Sequence, residues 1–169
     1  MNLNIKPLFA ALLGLSLLTP AAVQAEKMTI GIKQLKMHTA LKIAEATIEQ
    51  CRKEGVQIAV TVVDRGGNIQ AVLRDDLAMD ITIPISKQKA HTAMAFNSPL
   101  SQMEGRFEGA YSVPKIDGLV ISAGGIPINV GGSIMGGIGV SGAPSGEIDE
   151  KCAVAGLKAV ETDLEMEGM

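Results

Sequence analysis

The sequence predicts an α+β fold in a single domain, with an antiparallel sheet of about five strands flanked by helices. Strand patterns joined by tight, glycine-containing turns occur at 57–74 and again at 126–141, as is typical of hairpins. Helical patterns precede the first hairpin, separate the two and follow the second. This arrangement favours helices that cover an antiparallel sheet over helices that connect parallel strands.

The beginning of the chain has the pattern of a secretory signal peptide. Lys6 precedes an apolar run at 8–18, and a small-x-small cleavage site follows at 23–25. The apolar run is too short for a permanent membrane anchor. We therefore expect residues 1–25 to be removed, residues 26–169 to form the domain, and the protein to be periplasmic or secreted.

A first helix is predicted over about 34–54, and its position decides whether Cys51 can form a disulfide with Cys152. An apolar stripe repeats at steps of four and three and should face inward: Met37, Leu41, Ala44, Ile48 and Cys51. Cys51 then lies near the end of this helix and Cys152 in the first turns of the last one. A disulfide requires the two helices to be antiparallel neighbours, and two buried reduced thiols are the alternative.

The remaining elements follow in chain order. Strands are predicted from branched apolar runs at 57–63, 69–74, 119–122, 126–130 and 133–141. Helices are predicted from good helix formers at 84–97, 101–108 and 147–163. Pro84 suits a first helical turn, and Ser98-Pro99 ends that helix.

The stretch 124–156 is rich in glycine, yet branched apolar residues recur at period two between the glycines. A flexible linker lacks such residues, so the glycines indicate turns, bulges or close backbone approach. The segment 137–142 matches the glycine spacing of a dinucleotide-binding fingerprint. That motif also needs a following helix, a second parallel strand and an acid about twenty residues later, and the antiparallel pattern argues against it.

Several classes of function are disfavoured. The net charge is −3, and no basic run is interleaved with aromatic residues, so nucleic-acid binding is not expected. There is no HExxH, nucleophile elbow or CxxC motif, so hydrolytic zinc, serine-triad and thiol-redox chemistry lack support. Asp75, Asp76 and Asp80 lack the spacing of a calcium loop and are read as a solvated turn.

The chain has two histidines. On the first helix, His38 falls on the polar side with Lys42 and Glu45, so its imidazole should be exposed. It could bind haem iron or another soft metal, with Met37 beside it, or be an ordinary solvated histidine. His91 lies in an alanine-rich helix and is read as a partly packed side chain or one at a subunit boundary.

Three ordered motifs resemble the GlcG/HbpS-like proteins, a family that includes the C-terminal domain of PduO. They are VVDRGGNIQAVLRDD at 62–76, KAHTA at 89–93, and AGGIPI with GGIGVSGAPSGEIDEKCAVAG within 123–156. The resemblance extends over nearly all of 26–169. It implies an antiparallel five-stranded sheet flanked by helices, and dimers that build larger rings or octamers.

The same resemblance implies an exported haem-binding protein that acts as a carrier, or as a haem or redox sensor accessory with a partner membrane sensor. His38 is similar in placement to the haem ligand of the PduO-type domain and is our candidate iron ligand, with Met37 next to it. Gly124 and Gly125 would allow a flat ligand to approach the strands. His91 departs from the family pattern and is a second candidate ligand.

Two alternatives remain. The protein could be an accessory protein or enzyme for a small organic acid or corrinoid, with backbone donors at Gly124-Gly125 and a cation at Arg65. It could also be an oligomeric scaffold whose glycine-rich surface only pairs subunits.

Overall fold

The computed structural model describes residues 26–110 and 112–168. The predicted signal peptide, 1–25, lies outside the described residues. Ile32–Met169 forms one compact unit, and the described residues before it, 26–31, contain no helix or strand. Among the described residues, no helix combines the length and the apolar character that crossing a membrane requires.

Within the described residues, this unit has three α-helices and four strands. The helices are α1 Met37–Lys53, α2 Thr82–Phe96 and α3 Gly146–Gly168, and the strands are β1 Ala59–Asp64, β2 Ile69–Arg74, β3 Gly125–Val130 and β4 Ser133–Ser141. All strand pairs are antiparallel, in the order β2-β1-β4-β3. The predicted α+β class, antiparallel sheet and single domain are confirmed, with four strands in place of about five.

The prediction of a strand at 119–122 is wrong. Main-chain N–H groups in and just after this segment are taken by side chains instead of a neighbouring strand. Val120 donates to Thr92 Oγ1 at 3.0 Å, and Ala123 donates to Glu104 Oε1 at 2.6 Å. These two donors are therefore not available to a strand ladder. The predicted helix at 101–108 is likewise only a single 3₁₀ turn, Leu100–Gln102.

The sheet lies between two helical layers. Along β4, Ile138 and Val140 join the main core with residues of α1 and α3. The alternate positions Gly137 and Gly139 lie against α2, where a Cβ atom at either glycine would clash with main-chain atoms of that helix. Successive residues of a strand point to opposite faces, so α1 and α3 cover one face and α2 covers the other.

The two cysteines form a disulfide, Cys51–Cys152, with a Cα–Cα distance of 5.5 Å. This decides between the two alternatives that the sequence left open. The bridge joins the end of α1 to the start of α3, and Gly156, later in α3, lies against Thr47, earlier in α1, so the two helices run antiparallel. Close helix contact is also visible at Gly156, where a Cβ atom would clash with Thr47 of α1.

The inward stripe predicted for α1 is right for Ala44, Ile48 and Cys51, holds in part for the half-buried Leu41, and is wrong for Met37. Met37 is 62% exposed. The core at this end of the helix is filled by Leu35 and Ala40, both buried, so the first residue of the helix is left facing solvent.

Candidate functional site

His38 lies in the first turn of α1, and its side chain is exposed, as the helical wheel predicts. It makes no hydrogen bond or ion pair with any residue in the described parts of the chain. The imidazole borders a cavity of about 200 Å³ between the start of α1 and the end of α3, where Val160 and Leu164 supply apolar contacts. The histidine nitrogens are therefore available to a ligand.

A second cavity adjoins the first. It has a volume of about 270 Å³, shares Lys36, Thr39, Leu164 and Glu167 with the first, and adds Met135 among its lining residues. We call the two cavities together the His38 groove. Met37 does not line either cavity, although it precedes His38 in the chain.

The charges around the His38 groove are mixed. Lys36 and Lys42 provide ammonium groups near His38, while Asp163 and Glu167 provide carboxylates from α3. An anionic group of a ligand would therefore be held by the lysines of α1 rather than by the α3 side of the groove.

His91 lies on α2, in a separate cavity of about 410 Å³ with Gly67, Lys87 and Gln88 among its lining residues. Its ring packs against the turn between β1 and β2, where a Cβ atom at Gly67 would lie 2.7 Å from the His91 Cδ2 atom. His91 is partly packed, as the sequence analysis proposed. The two histidines border different cavities, so the structure does not bring them together.

Gly124 and Gly125 lie at the start of β3 and are both buried. Protein atoms fill the space beside them: a Cβ atom at Gly124 would lie 2.7 Å from Lys89 Nζ, and one at Gly125 would lie 2.7 Å from Leu100 Cδ1. The main-chain N–H of Gly124 donates to Glu150 Oε2 at 3.2 Å. The role of these glycines as ligand contacts stays a prediction.

Arg65, the cation predicted to bind an organic-acid ligand, makes a hydrogen bond within the protein. Arg65 donates to the carbonyl oxygen of Ile134 at 3.3 Å. The carboxylate of Asp64 accepts hydrogen bonds from the main chain of Gly66 and Asn68, which hold the pKa of Asp64 below its usual value against the opposing effect of burial. These residues build the hairpin turn.

A buried ion pair was not predicted from the sequence. Lys89 Nζ of α2 lies 3.0 Å from Asp149 Oδ2 of α3, and both side chains are about 95% buried. The pair lies in a cavity of about 500 Å³, which we call the Lys89 cleft; Ile81, Ile85 and Val120 are among its apolar lining residues. A local signal did exist: Lys89 lies next to the sheet-facing Ala90 and three residues after the buried Ser86.

Burial raises the pKa of the Asp149 carboxyl, and the attraction of Lys89 and a hydrogen bond from the Ala143 main chain offset part of that rise. No group of three or more His, Cys, Asp or Glu side chains suited to a metal ion occurs within 26–110 and 112–168.

The model of a family described as haem degrading protein HbpS-like matches residues 35–158. The chain belongs to the HbpS-like family. This confirms the resemblance to GlcG/HbpS-like proteins, and the matched residues of the HbpS-like chain run from just before α1 into α3.

Individual relatives agree with the family assignment of the HbpS-like chain. Protein GlcG of Escherichia coli is 31% identical over 108 residues, which cover 63% of this chain and 81% of GlcG. A double mutant of Streptomyces reticuli HbpS is 36% identical with a TM-score of 0.75, and the match covers 84% of this chain and 98% of that one. The structure of a PduOC:haem complex is 25% identical with a TM-score of 0.70, covering 75% of this chain and 95% of that one.

Proposed function

We propose that this protein binds haem in the His38 groove, with the His38 imidazole as a ligand of the iron. The observation that carries the proposal is the exposed His38 side chain, which has no partner among the described residues and borders two adjoining cavities. Membership of the HbpS-like family and the similarity to a PduOC:haem complex support haem as the ligand.

The residues of the groove fit haem chemically. Imidazole is a common axial ligand of haem iron. Leu164, Val160 and Met135 offer apolar contacts for a porphyrin, and Lys36 and Lys42 offer cations for its propionates. Bound haem would supply an iron centre whose properties depend on its axial ligands and on the polarity of the groove.

We further propose that the protein works after export, in the periplasm or outside the cell, as a haem carrier or as an accessory of a membrane-bound haem or redox sensor. The Cys51–Cys152 disulfide supports this location, because disulfides persist mainly in oxidising compartments. The test is the intact mass of protein recovered from the periplasmic fraction. A chain beginning at Glu26 is the expected result, and a chain that keeps its first residues would contradict export by cleavage.

A homo-oligomer built from dimers, such as an octamer, is also part of the proposal. The sheet ends in β2 on one side and β3 on the other, and neither has a second strand neighbour among the described residues. Such edges are available for pairing with a second copy. The mass of the assembly, measured by light scattering with and without haemin, tests this expectation.

Haem binding is tested by titrating the purified protein with haemin and recording the Soret band. The wild type should saturate at about one haem per chain, with the band shift of an imidazole-bound iron. His38→Ala should lose that shift while it keeps its fold, because the side chain is exposed and alanine is a good helix former.

His91→Ala is the matched control, since it removes the other imidazole. It should keep both the stoichiometry and the band position of the wild type. Loss of the shift in His91→Ala with retention in His38→Ala would move the iron ligand to α2. An absence of saturation in the wild type would end the haem proposal.

A further inference from the structure

The Lys89 cleft contains hydrogen-bond donors for which the described residues provide no acceptor. An ammonium group carries three donors, and the one hydrogen bond that Lys89 Nζ makes within the described residues is to Asp149 Oδ2. The Lys89 side chain is only 5% exposed, so bulk water solvates it poorly. Lys89 Nζ therefore has one partner, Asp149, and the capacity for further hydrogen bonds, so the cleft is suited to a ligand that brings acceptors.

A hydroxyl group lies in the same cleft without a partner. Ser141 is 7% exposed, lines the cleft, and makes no side-chain hydrogen bond to any residue in the described ranges. It comes two positions after Gly139 on β4, so its side chain points to the α2 side of the sheet, where Lys89 lies.

The first turn of α3 adds further donors. The main-chain N–H groups of Gly146 and Glu147 have no hydrogen-bond partner in the described part of the chain, and Gly146 lines the cleft. The start of a helix favours negative charge. Both oxygens of Asp149 are already occupied, one by the Ala143 N–H and one by Lys89. The groups in the cleft that remain unpaired are therefore mainly hydrogen-bond donors.

We propose that the Lys89 cleft binds a small monocarboxylate with a short apolar tail, whose carboxylate lies between the Lys89 ammonium and the Ser141 hydroxyl. Ile81, Ile85 and Val120 form apolar walls for the tail. Asp149 already balances much of the charge of Lys89, so the cleft suits a single negative charge better than the double charge of a phosphate.

This site is distinct from the His38 groove and does not depend on haem binding. The cleft lies at the start of α3, whereas the His38 groove lies at the end of that helix. It also differs from the organic-acid site predicted from the sequence, because it uses Lys89 in place of Arg65 and the Gly124 N–H.

The proposal is tested by nuclear magnetic resonance, with ¹⁵N-labelled protein titrated with sodium butyrate. Saturable shifts are expected at the amides of Gly142, Ala143 and Gly146, which line the cleft. Butyramide has nearly the same shape and no charge, so it should bind at least about tenfold more weakly. Equal binding of the two, absence of saturation, or shifts confined to another part of the chain would overturn the proposal.

Single substitutions test which side chains of the protein contact butyrate. Ser141→Ala should weaken butyrate binding by about tenfold through loss of one hydrogen bond to a charged group, and Ser133→Ala, at the other end of β4, should leave it unchanged. His38→Ala should also leave it unchanged, which separates this proposal from the haem proposal. Unaltered affinity in Ser141→Ala would overturn the assignment.

A double variant removes the charge without stranding a buried partner. Lys89→Met with Asp149→Asn takes away both members of the ion pair, because removing one alone leaves an unpaired buried charge. The folded double variant should show no saturable butyrate binding, and binding equal to the wild type would refute a role for Lys89. If circular dichroism shows that it does not fold, the Ser141→Ala and butyramide comparisons decide the question.

Discussion

Reduction of the Cys51–Cys152 disulfide should lower the free energy of unfolding by about 4–5 kcal/mol. The two cysteines are 101 residues apart in the sequence, so the bridge closes a loop that contains most of the domain. In the chain-entropy treatment, closing a loop of this length stabilises the folded state by about 4.7 kcal/mol relative to the unfolded chain. Single domains have a total stability of about 5–15 kcal/mol, so the reduced protein should be only marginally folded.

The measurement is urea unfolding followed by circular dichroism, with the same protein in its oxidised and reduced forms. This comparison changes no side-chain volume in the core, so the difference reports the cross-link. A variant with both Cys51→Ala and Cys152→Ala serves as the control and should be insensitive to the reductant. The oxidised protein should also show the smaller dependence on urea, because its unfolded chain exposes less surface.

Two results would refute this reasoning. A difference below about 1 kcal/mol between the oxidised and reduced forms would show that loop entropy does not account for the effect of the bridge. Titration of two free thiols in the denatured, unreduced protein would show that the bridge does not form at all.

Three further predictions concern stability. Gly139→Ala places a methyl group against main-chain atoms of α2 and should lower the free energy of unfolding by about 3 kcal/mol in chemical unfolding. The control Gly132→Ala has nothing within 4 Å of the added Cβ atom and should lower it by only about 1–2 kcal/mol, because of its positive φ. Hydrogen bonds from Arg52 hold the pKa of the Asp75 carboxyl below its usual value, so the stability that this carboxylate provides should be lost as the pH falls through that lowered pKa. Asp75→Asn should therefore flatten the dependence of the urea midpoint on pH below about 4. Asn97 ends α2 at φ 49°, so Asn97→Val should lower the melting temperature and Asn97→Gly should leave it nearly unchanged.

Much of the fold could be predicted because its signals are local. The bounds of β2 and β4 follow directly from period-two alternation between turn residues. The missing fifth strand depends on distant side chains: Thr92, Glu104 and Glu150 take main-chain donors of residues 120–124. No local pattern shows that these side chains come near, so an apolar run there was read as a strand.

For the candidate site, only the exposure of His38 could be predicted from the sequence and seen in the structure. The exposure of His38 follows from its place on one helix and needs no tertiary knowledge. Its neighbours Val160 and Leu164 come from α3 and could not be assigned from the pattern of α1. The Lys89–Asp149 pair was missed for the same reason, since 60 residues separate its members and they belong to two different helices.

The glycines of β4 affect both the stability of the domain and the formation of the Lys89 cleft. The sequence indicated that something approaches the glycine-rich backbone closely, and the structure shows that α2 does so at Gly137 and Gly139. The same approach places Lys89 of α2 next to Gly124, where a Cβ atom would lie 2.7 Å from its Nζ. A larger residue at Gly139 would push α2 from the sheet and move Lys89 away from Asp149. The glycine-rich sequence is therefore needed to form the buried ion pair, and with it the cleft, even though no glycine side chain could contact a ligand.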